Sequence, residues 1–377
     1  MKKIIGALCI MTLIWACSSE SATDDEVIIP DDQEEVSFER SAMLINWADN
    51  IIIPSYEAFS GDLDALLNSF NTFKVDTNEG NLTAFRSAWI NAYTSWQRVE
   101  MFEIGPAESV GFQLNMNIYP TNTENIDEFI VSGSYDLSLS SNRSSKGFPA
   151  LDYLLNGLGE DDTSILAFYN GDNKDALFTF TEDVLLDMKS LTDTVLSDWT
   201  EGYRDTFVAN DGASSTASVD RMVNDYIFYY EKYLRAGKMG IPLGVFSGAP
   251  LPENVEAYYE GTISNELFLE GLNAVQDFFN GKHFNSETEG ESLASYLDAL
   301  NSVKDGEDLS SLINAQFNTA RDLVSDLAAF REEIENNNTP TAMFLAYDEV
   351  QKAVPMLKVD MVSAMSISID FVDADGD

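Results

Sequence analysis

Any chemistry in this chain has to be built mainly from oxygen. The 377 residues include 64 Asp and Glu, 21 Lys and Arg, two cysteines and one histidine. That histidine, His283, sits in Asn280-Gly281-Lys282-His283-Phe284, a turn-like stretch. Cys9 and Cys17 both lie near the start of the chain. The usual His/Cys zinc sites therefore cannot be assembled. A Ser-His-Asp triad would have to rest on a single loop imidazole. HExxH, a Walker loop and GxGxxG after a strand are all missing. What remains is an oxygen ligand set, which suits iron as Fe³⁺ or another hard cation such as Ca²⁺ or Mg²⁺. Carboxylates are so abundant that composition alone localises no site. The formal net charge of −43 repels phosphate, so a nucleic-acid partner is excluded and cationic partners are favoured.

The elements that must position these groups begin with an export signal. Lys2 and Lys3 precede an apolar run at 4–15, too short to span a bilayer as a permanent helix. Leu13-Ile14-Trp15-Ala16-Cys17 looks like a lipobox, so residues 1–16 are expected to be a lipoprotein signal peptide. Cys17 is then the lipidation site, and the lipid on it makes a membrane the first partner. Residues 17–36 carry dense acidic charge and little apolar surface, the composition of a disordered tether. Ser18 after the lipidated cysteine is not an aspartate retention signal. The expected location is therefore the outer membrane, facing the periplasm or exposed on the cell surface.

Beyond the tether, apolar residues recur three and four apart. Leu44, Trp47, Ile51, Tyr56, Phe59, Leu63, Leu66 and Phe70 predict a first helix over 38–73, with Pro54 as a kink. Phe85, Trp89, Tyr93 and Trp96 predict a second, stopped by Gly105-Pro106. Residues 105–146 read as a long loop with short helices. Further helices are expected over 149–157, 164–201, 219–236, 267–279, 291–303, 310–335 and 341–365. Only 366–372 alternates like a strand. The fold class predicted is all-α, two helical-bundle domains at 37–208 and 217–377 separated by a polar break. Thr83-Ala84…Ala88-Trp89 echoes Thr341-Ala342…Ala346-Tyr347, so the two bundles are read as a candidate duplicated pair.

Several local patterns, in this order, resemble the imelysin-like family of iron-regulated lipoproteins and peptidase-class proteins. They are Asn46-Trp47-Ala48-Asp49 with Ile52-Ile53-Pro54-Ser55-Tyr56; Trp89 with Trp96-Gln97-Arg98-Val99-Glu100-Met101-Phe102 and Gly105-Pro106; and Ile118-Tyr119-Pro120 with Ile126-Asp127. Gly240-Ile241-Pro242-Leu243-Gly244 and Leu357-Lys358-Val359-Asp360 continue the likeness. Lys146 to Leu155 falls where the family carries GxHxxE, and there the chain departs: Gly147-Phe148-Pro149-Ala150-Leu151-Asp152 puts proline at the histidine and aspartate at the glutamate. Proline supplies no ligand and no general base, although it suits the start of a helix. Asp152 can still hold a cation or a polar group; a first-turn aspartate also simply steadies a helix N-terminus.

The resemblance implies a membrane-anchored lipoprotein acting in iron acquisition as a non-catalytic ligand- or cation-binding component. Its ligand-binding residues are expected to be Asp152 (also the candidate metal ligand), Gly147, Trp89, Arg98, Glu100, Tyr119, Lys358 and Asp360, with no catalytic residue. Partners implied are a metal ion and iron-uptake components. Two alternatives stand beside this: a metallopeptidase of the imelysin class, which needs a base the motif has lost, and a surface lipoprotein binding a glycan or protein through an exposed aromatic patch in 105–146 or 237–254. Trp89, Tyr93 and Trp96 also fit plain core positions. Arg98 and Glu100, two apart on a helix, point different ways. Asp373, Asp375 and Asp377 start like a calcium loop but are expected to be a solvated tail.

Overall fold

The helical periodicity is realised almost throughout. A computed structural model describes residues 38–337 and 339–371; the signal peptide, Cys17, the tether and the closing Asp373, Asp375 and Asp377 lie outside them. The first helix is built of α1 (Arg40–Asn46), a π-helical stretch (Trp47–Ile52) and α2 (Ile53–Val75). Pro54 does not break it. It falls at the start of α2, and the Asn50 carbonyl four residues back, which its missing amide hydrogen cannot reach, accepts from the Phe284 amide at 2.8 Å. The aromatic stripe forms α3 (Glu79–Trp96), opened by Asn78, whose side chain accepts from the Asn81 amide.

Four further helices frame the site. They are α4 (Gly147–Asp152), α5 (Lys174–Asp198), α6 (Ser218–Phe228) with its π-helical continuation Tyr229–Gly240, and α7 (Ser264–Phe279). α8 (Leu309–Ser325) and α9 (Thr341–Pro355) complete the long helices. α2 packs on α3 and α5; α8 packs on α7 and α9. A continuous buried core joins these two sets. Phe278 of α7 is the pivot, its ring 4.8 Å from Trp47, 5.6 Å from Phe102 and 5.6 Å from Tyr226. Trp47, Trp89, Trp96 and Trp199 are all fully buried. Such aromatic burial dominates core energetics. Among the described residues no helix is long and apolar enough to cross a membrane.

The differences from expectation are local. The helix predicted over 164–201 is two helices, because Asn170 and Gly171 end the first after Tyr169. The one predicted over 310–335 breaks after Ser325, and 291–303 shrinks to Leu293–Ala299. Residues 366–371 pair with no strand. The chain's one described sheet is instead a two-residue hairpin, Val303–Lys304 with Glu307–Asp308, turned by Asp305 and Gly306 at positive φ. An Asp-Gly turn of this kind is a strong hairpin signal. Its charged flanks hid it.

Candidate functional site

Where α3 ends and the chain loosens into turns, Gln97 and Glu100 point into the seam between the two helix sets. Both are buried. From the other side the π-helical run Tyr229–Gly240 brings Lys238, and the turn before α7 brings Glu256; each is 1% exposed. The Lys238 ammonium lies 2.7 Å from Glu256 Oε1 and 3.0 Å from Glu100 Oε2. Asn117 ties the same two carboxylates, its Nδ2 donating to Glu256 Oε1 at 2.8 Å and Glu100 Oε1 at 3.1 Å. Tyr93 donates to Asn117 Oδ1 at 2.6 Å, and Gln97 Nε2 donates to Glu256 Oε1 at 3.3 Å. Close approach is permitted by glycine: a Cβ on Gly271 of α7 would stand 2.8 Å from the Tyr229 hydroxyl.

Burial alone would lower the Lys238 pKa, but Glu100 and Glu256 outweigh it and hold the ammonium charged. Three charges therefore sit out of water, two negative and one positive. A buried group like this is tolerated only with dense hydrogen bonding. The one-charge excess is negative.

A small cleft opens beside this group. It holds about 50 Å³ and is lined by Tyr119, Pro149, Asp152, Glu253, Tyr258 and Tyr259, among others. Tyr119 links the two places. It lines the cleft, and burial, then Glu256 and Glu100, push its hydroxyl pKa well up. The Tyr93 hydroxyl is likewise raised by burial and then by Glu256, Tyr119, Glu100 and Asp152. The polar groups of the seam thus converge on Tyr93.

Asp152 is not in a first turn. It is the last residue of α4, buried, and it runs on into the π-helical Tyr153–Gly157. Its Oδ2 accepts from the Tyr259 amide at 2.8 Å; its Oδ1 accepts from the Glu260 amide at 2.9 Å and from Asn156 Nδ2 at 3.0 Å. The carboxylate therefore fastens the segment around 259–260 to α4. It does not steady a helix N-terminus. Pro149 lies in the first turn of α4, where backbone amides lack helical partners in any case. Gly147 is there for space: at φ +74°, its Cβ would fall 2.1 Å from the Met116 carbonyl oxygen.

Burial pushes the Asp152 pKa up to about 7, outweighing its three hydrogen bonds. In an unfolded chain it titrates near about 3.9. The folded state therefore binds the extra proton between those values. The stability this supplies is complete below about pH 4 and is lost as pH rises through about 7. Asp152→Asn has no such titration. Its melting temperature relative to the parent should move in the variant's favour from pH 4 to pH 7, by several degrees, as followed by circular dichroism. A difference that stays constant across that range would refute the shifted carboxyl.

The other expected site residues are placed elsewhere. Trp89 is core, with Nε1 donating to the Phe148 carbonyl at 3.3 Å. Arg98 turns away from Glu100 to pair with Glu270 and Asp277 of α7. Lys358 pairs with Glu231 at 2.8 Å and Asp360 pairs with Lys304 of the hairpin. None of these four lines the cleft. His283 lies in the 281–290 turn, its amide bonded to Thr288 and the next amide to Asn50. The residues sequence reasoning missed are Lys238, Glu256, Asn117 and Gln97. One signal was available: a lysine set in Gly237-Lys238-Met239-Gly240, inside an otherwise aromatic helix. Among the described residues, no group of three or more His, Cys, Asp or Glu is placed to hold a metal ion.

Comparison with known proteins agrees with this architecture. The family model for imelysin, peptidase M75, matches residues 52–354. Iron-regulated protein A of Synechococcus elongatus is 30% identical over 80 residues, 21% of this chain and 22% of that protein. The match thus spans about a fifth of that relative's length. A crystal structure from Parabacteroides distasonis, named as an iron-regulated protein A precursor, superposes with a TM-score of 0.69 at 16% identity, covering 85% of this chain and 95% of the other. An imelysin-like protein from Psychrobacter arcticus gives 0.67 at 14% identity, covering 89% and 99%. At these identities the likeness is one of fold.

Proposed function

The chain belongs to the imelysin family, and from that premise we propose that it is a non-catalytic binding protein acting in iron acquisition. It is held at the outer membrane by lipid on Cys17, and it takes a small ligand or cation in the cleft at Asp152. The name of the Synechococcus relative supports the iron association. The observation that carries the binding role is the seam itself: a histidine-free cleft of about 50 Å³ set against a buried group with excess negative charge.

A peptidase reading has one observation in its favour, the Asp152 pKa near 7, a value suited to a general base. Against it, both Asp152 oxygens are occupied by backbone amides. Lys238 is locked as an ammonium, and Pro149 fills the histidine position of the motif. The cleft is also several-fold smaller than the roughly 300–1,000 Å³ of ordinary substrate sites. With no three-ligand group among the described residues, a catalytic zinc does not fit. A surface-binding reading draws on Phe246, 46% exposed in the 237–254 connection.

The test is a titration of the purified chain with Fe³⁺, Ca²⁺ and small organic cations, with casein hydrolysis followed in the same samples. One-to-one binding that weakens in Asp152→Asn, without hydrolysis, is expected. Hydrolysis that this variant abolishes would overturn the reading.

A further inference from the structure

Around Lys238 the buried polar atoms left without a hydrogen-bond partner include two acceptors, Glu256 Oε2 and Gln97 Oε1, on side chains 1% and 0% exposed. Most of the donors beside them are already engaged, although the buried Tyr229 hydroxyl, close to Glu100 and Glu256, is itself without a partner. Lys238 serves both glutamates, Asn117 Nδ2 serves the same two, and Gln97 Nε2 serves Glu256 and the Tyr93 carbonyl. The group therefore carries two carboxylates against one ammonium. Tyr119 lines the cleft, and burial first, then the charges of Glu256 and Glu100, push its hydroxyl pKa well up.

The cleft wall is of matching character. Tyr119, Tyr258 and Tyr259 line the cleft together with Asp152 and Glu253. Aromatic faces attract organic cations within about 6 Å, most strongly where water is excluded. The Tyr258 ring is already covered by the Arg331 guanidinium, 4.2 Å away, which leaves Tyr119 and Tyr259 for a ligand. A bare metal ion, by contrast, needs several oxygen ligands converging at fixed distance, and no such group exists among the described residues.

Resting on the binding reading above, we propose that the cleft takes an organic cation, an alkylammonium or guanidinium head group, rather than a bare metal ion. About 50 Å³ admits the head group alone, so the rest of the ligand lies outside. A free amine and a Lys or Arg side chain of a peptide share this chemistry.

Calorimetry on the full chain at fixed ionic strength tests this, with methylammonium, Nα-acetyl-lysine amide and Nα-acetyl-arginine amide against Ca²⁺ and Fe³⁺. Saturable one-to-one binding of an organic cation is expected, roughly ten-fold weaker in Glu253→Gln and in Tyr259→Leu. Both variants keep Asp152 and the backbone amides it binds. Stronger binding of the acetylated amino-acid amides than of methylammonium would assign the head group to a peptide; the reverse would assign it to a free amine. Saturation by Ca²⁺ or Fe³⁺ with no organic cation bound would overturn this inference while leaving the binding role standing. Silence with every probe would overturn it too, and hydrolysis of casein would remove the binding role itself.

Discussion

Lys238→Ala is expected to cost the fold about 3–5 kcal/mol, the usual penalty for removing one partner of a buried ion group. The variant leaves Glu100 and Glu256, 3% and 1% exposed, facing one another across Asn117 with no cation between them. Water cannot reach them without opening the seam. A variant carrying Lys238→Met, Glu100→Gln and Glu256→Gln together has no charge left in this group. It should lose clearly less than the sum of its parts, because contacting groups of this kind are not additive. Urea denaturation at pH 7 measures both variants. A loss below about 1 kcal/mol for Lys238→Ala would mean the triad is far better hydrated than its burial indicates.

Gly147→Ala is the second large effect, about 3 kcal/mol or more, and its cause is purely steric. Positive φ costs an L-residue about 1–2 kcal/mol, and forcing a methyl into a packed site adds about 1–3. Here the methyl would meet backbone, the Met116 carbonyl oxygen at 2.1 Å and carbon at 2.6 Å, which cannot rotate aside. The shift would pass into Phe148, whose ring stacks on Tyr93 at 4.4 Å and 3°, and so into the site. Gly133→Ala is the matched control. It shares the positive φ, but nothing lies within 4 Å of its Cβ, so it should show the conformational part alone. Equal losses for the two variants, measured by thermal melting, would show that the contact with Met116 relaxes freely.

The all-α fold was legible because its helices bury continuous apolar stripes, and a period of 3.6 survives in the sequence whatever the helices pack against. Trp89, Tyr93 and Trp96 illustrate the limit of that signal. All three fit core positions, Trp89 being also an expected ligand-binding residue, and all three are buried, yet it is Tyr93 that turns its hydroxyl to Asn117 at the centre of the site. Arg98 and Glu100 do diverge, one to α7 and the other to the seam, but they lie in turns past the end of α3 at Trp96 rather than on a helix, so helical spacing is not the cause. Which of them mattered depended on a fold not yet known.

The site was only half visible, and the reason is distance along the chain. Asn117 and Gln97 meet Glu256 across 139 and 159 residues, so no local spacing encodes the group. Gly147 and Asp152 were found through the motif, but their tasks were not. Gly147 clears space for the Met116 backbone, and Asp152 binds the amides of Tyr259 and Glu260. Lys358 and Asp360, selected by resemblance, pair with Glu231 and Lys304 instead.

The most direct test of a non-catalytic binding site at this seam is the cation titration of the parent chain beside Asp152→Asn, with hydrolysis read in the same samples. Saturable binding of one cation per chain, at least ten-fold weaker in the variant and with no hydrolysis in either, is the predicted result. Weak binding at many sites that the variant leaves unchanged would mean the acidic surface is merely solvated and the cleft is idle. Hydrolysis that the variant abolishes would make Asp152 a working base and the protein an enzyme. Either would contradict the account.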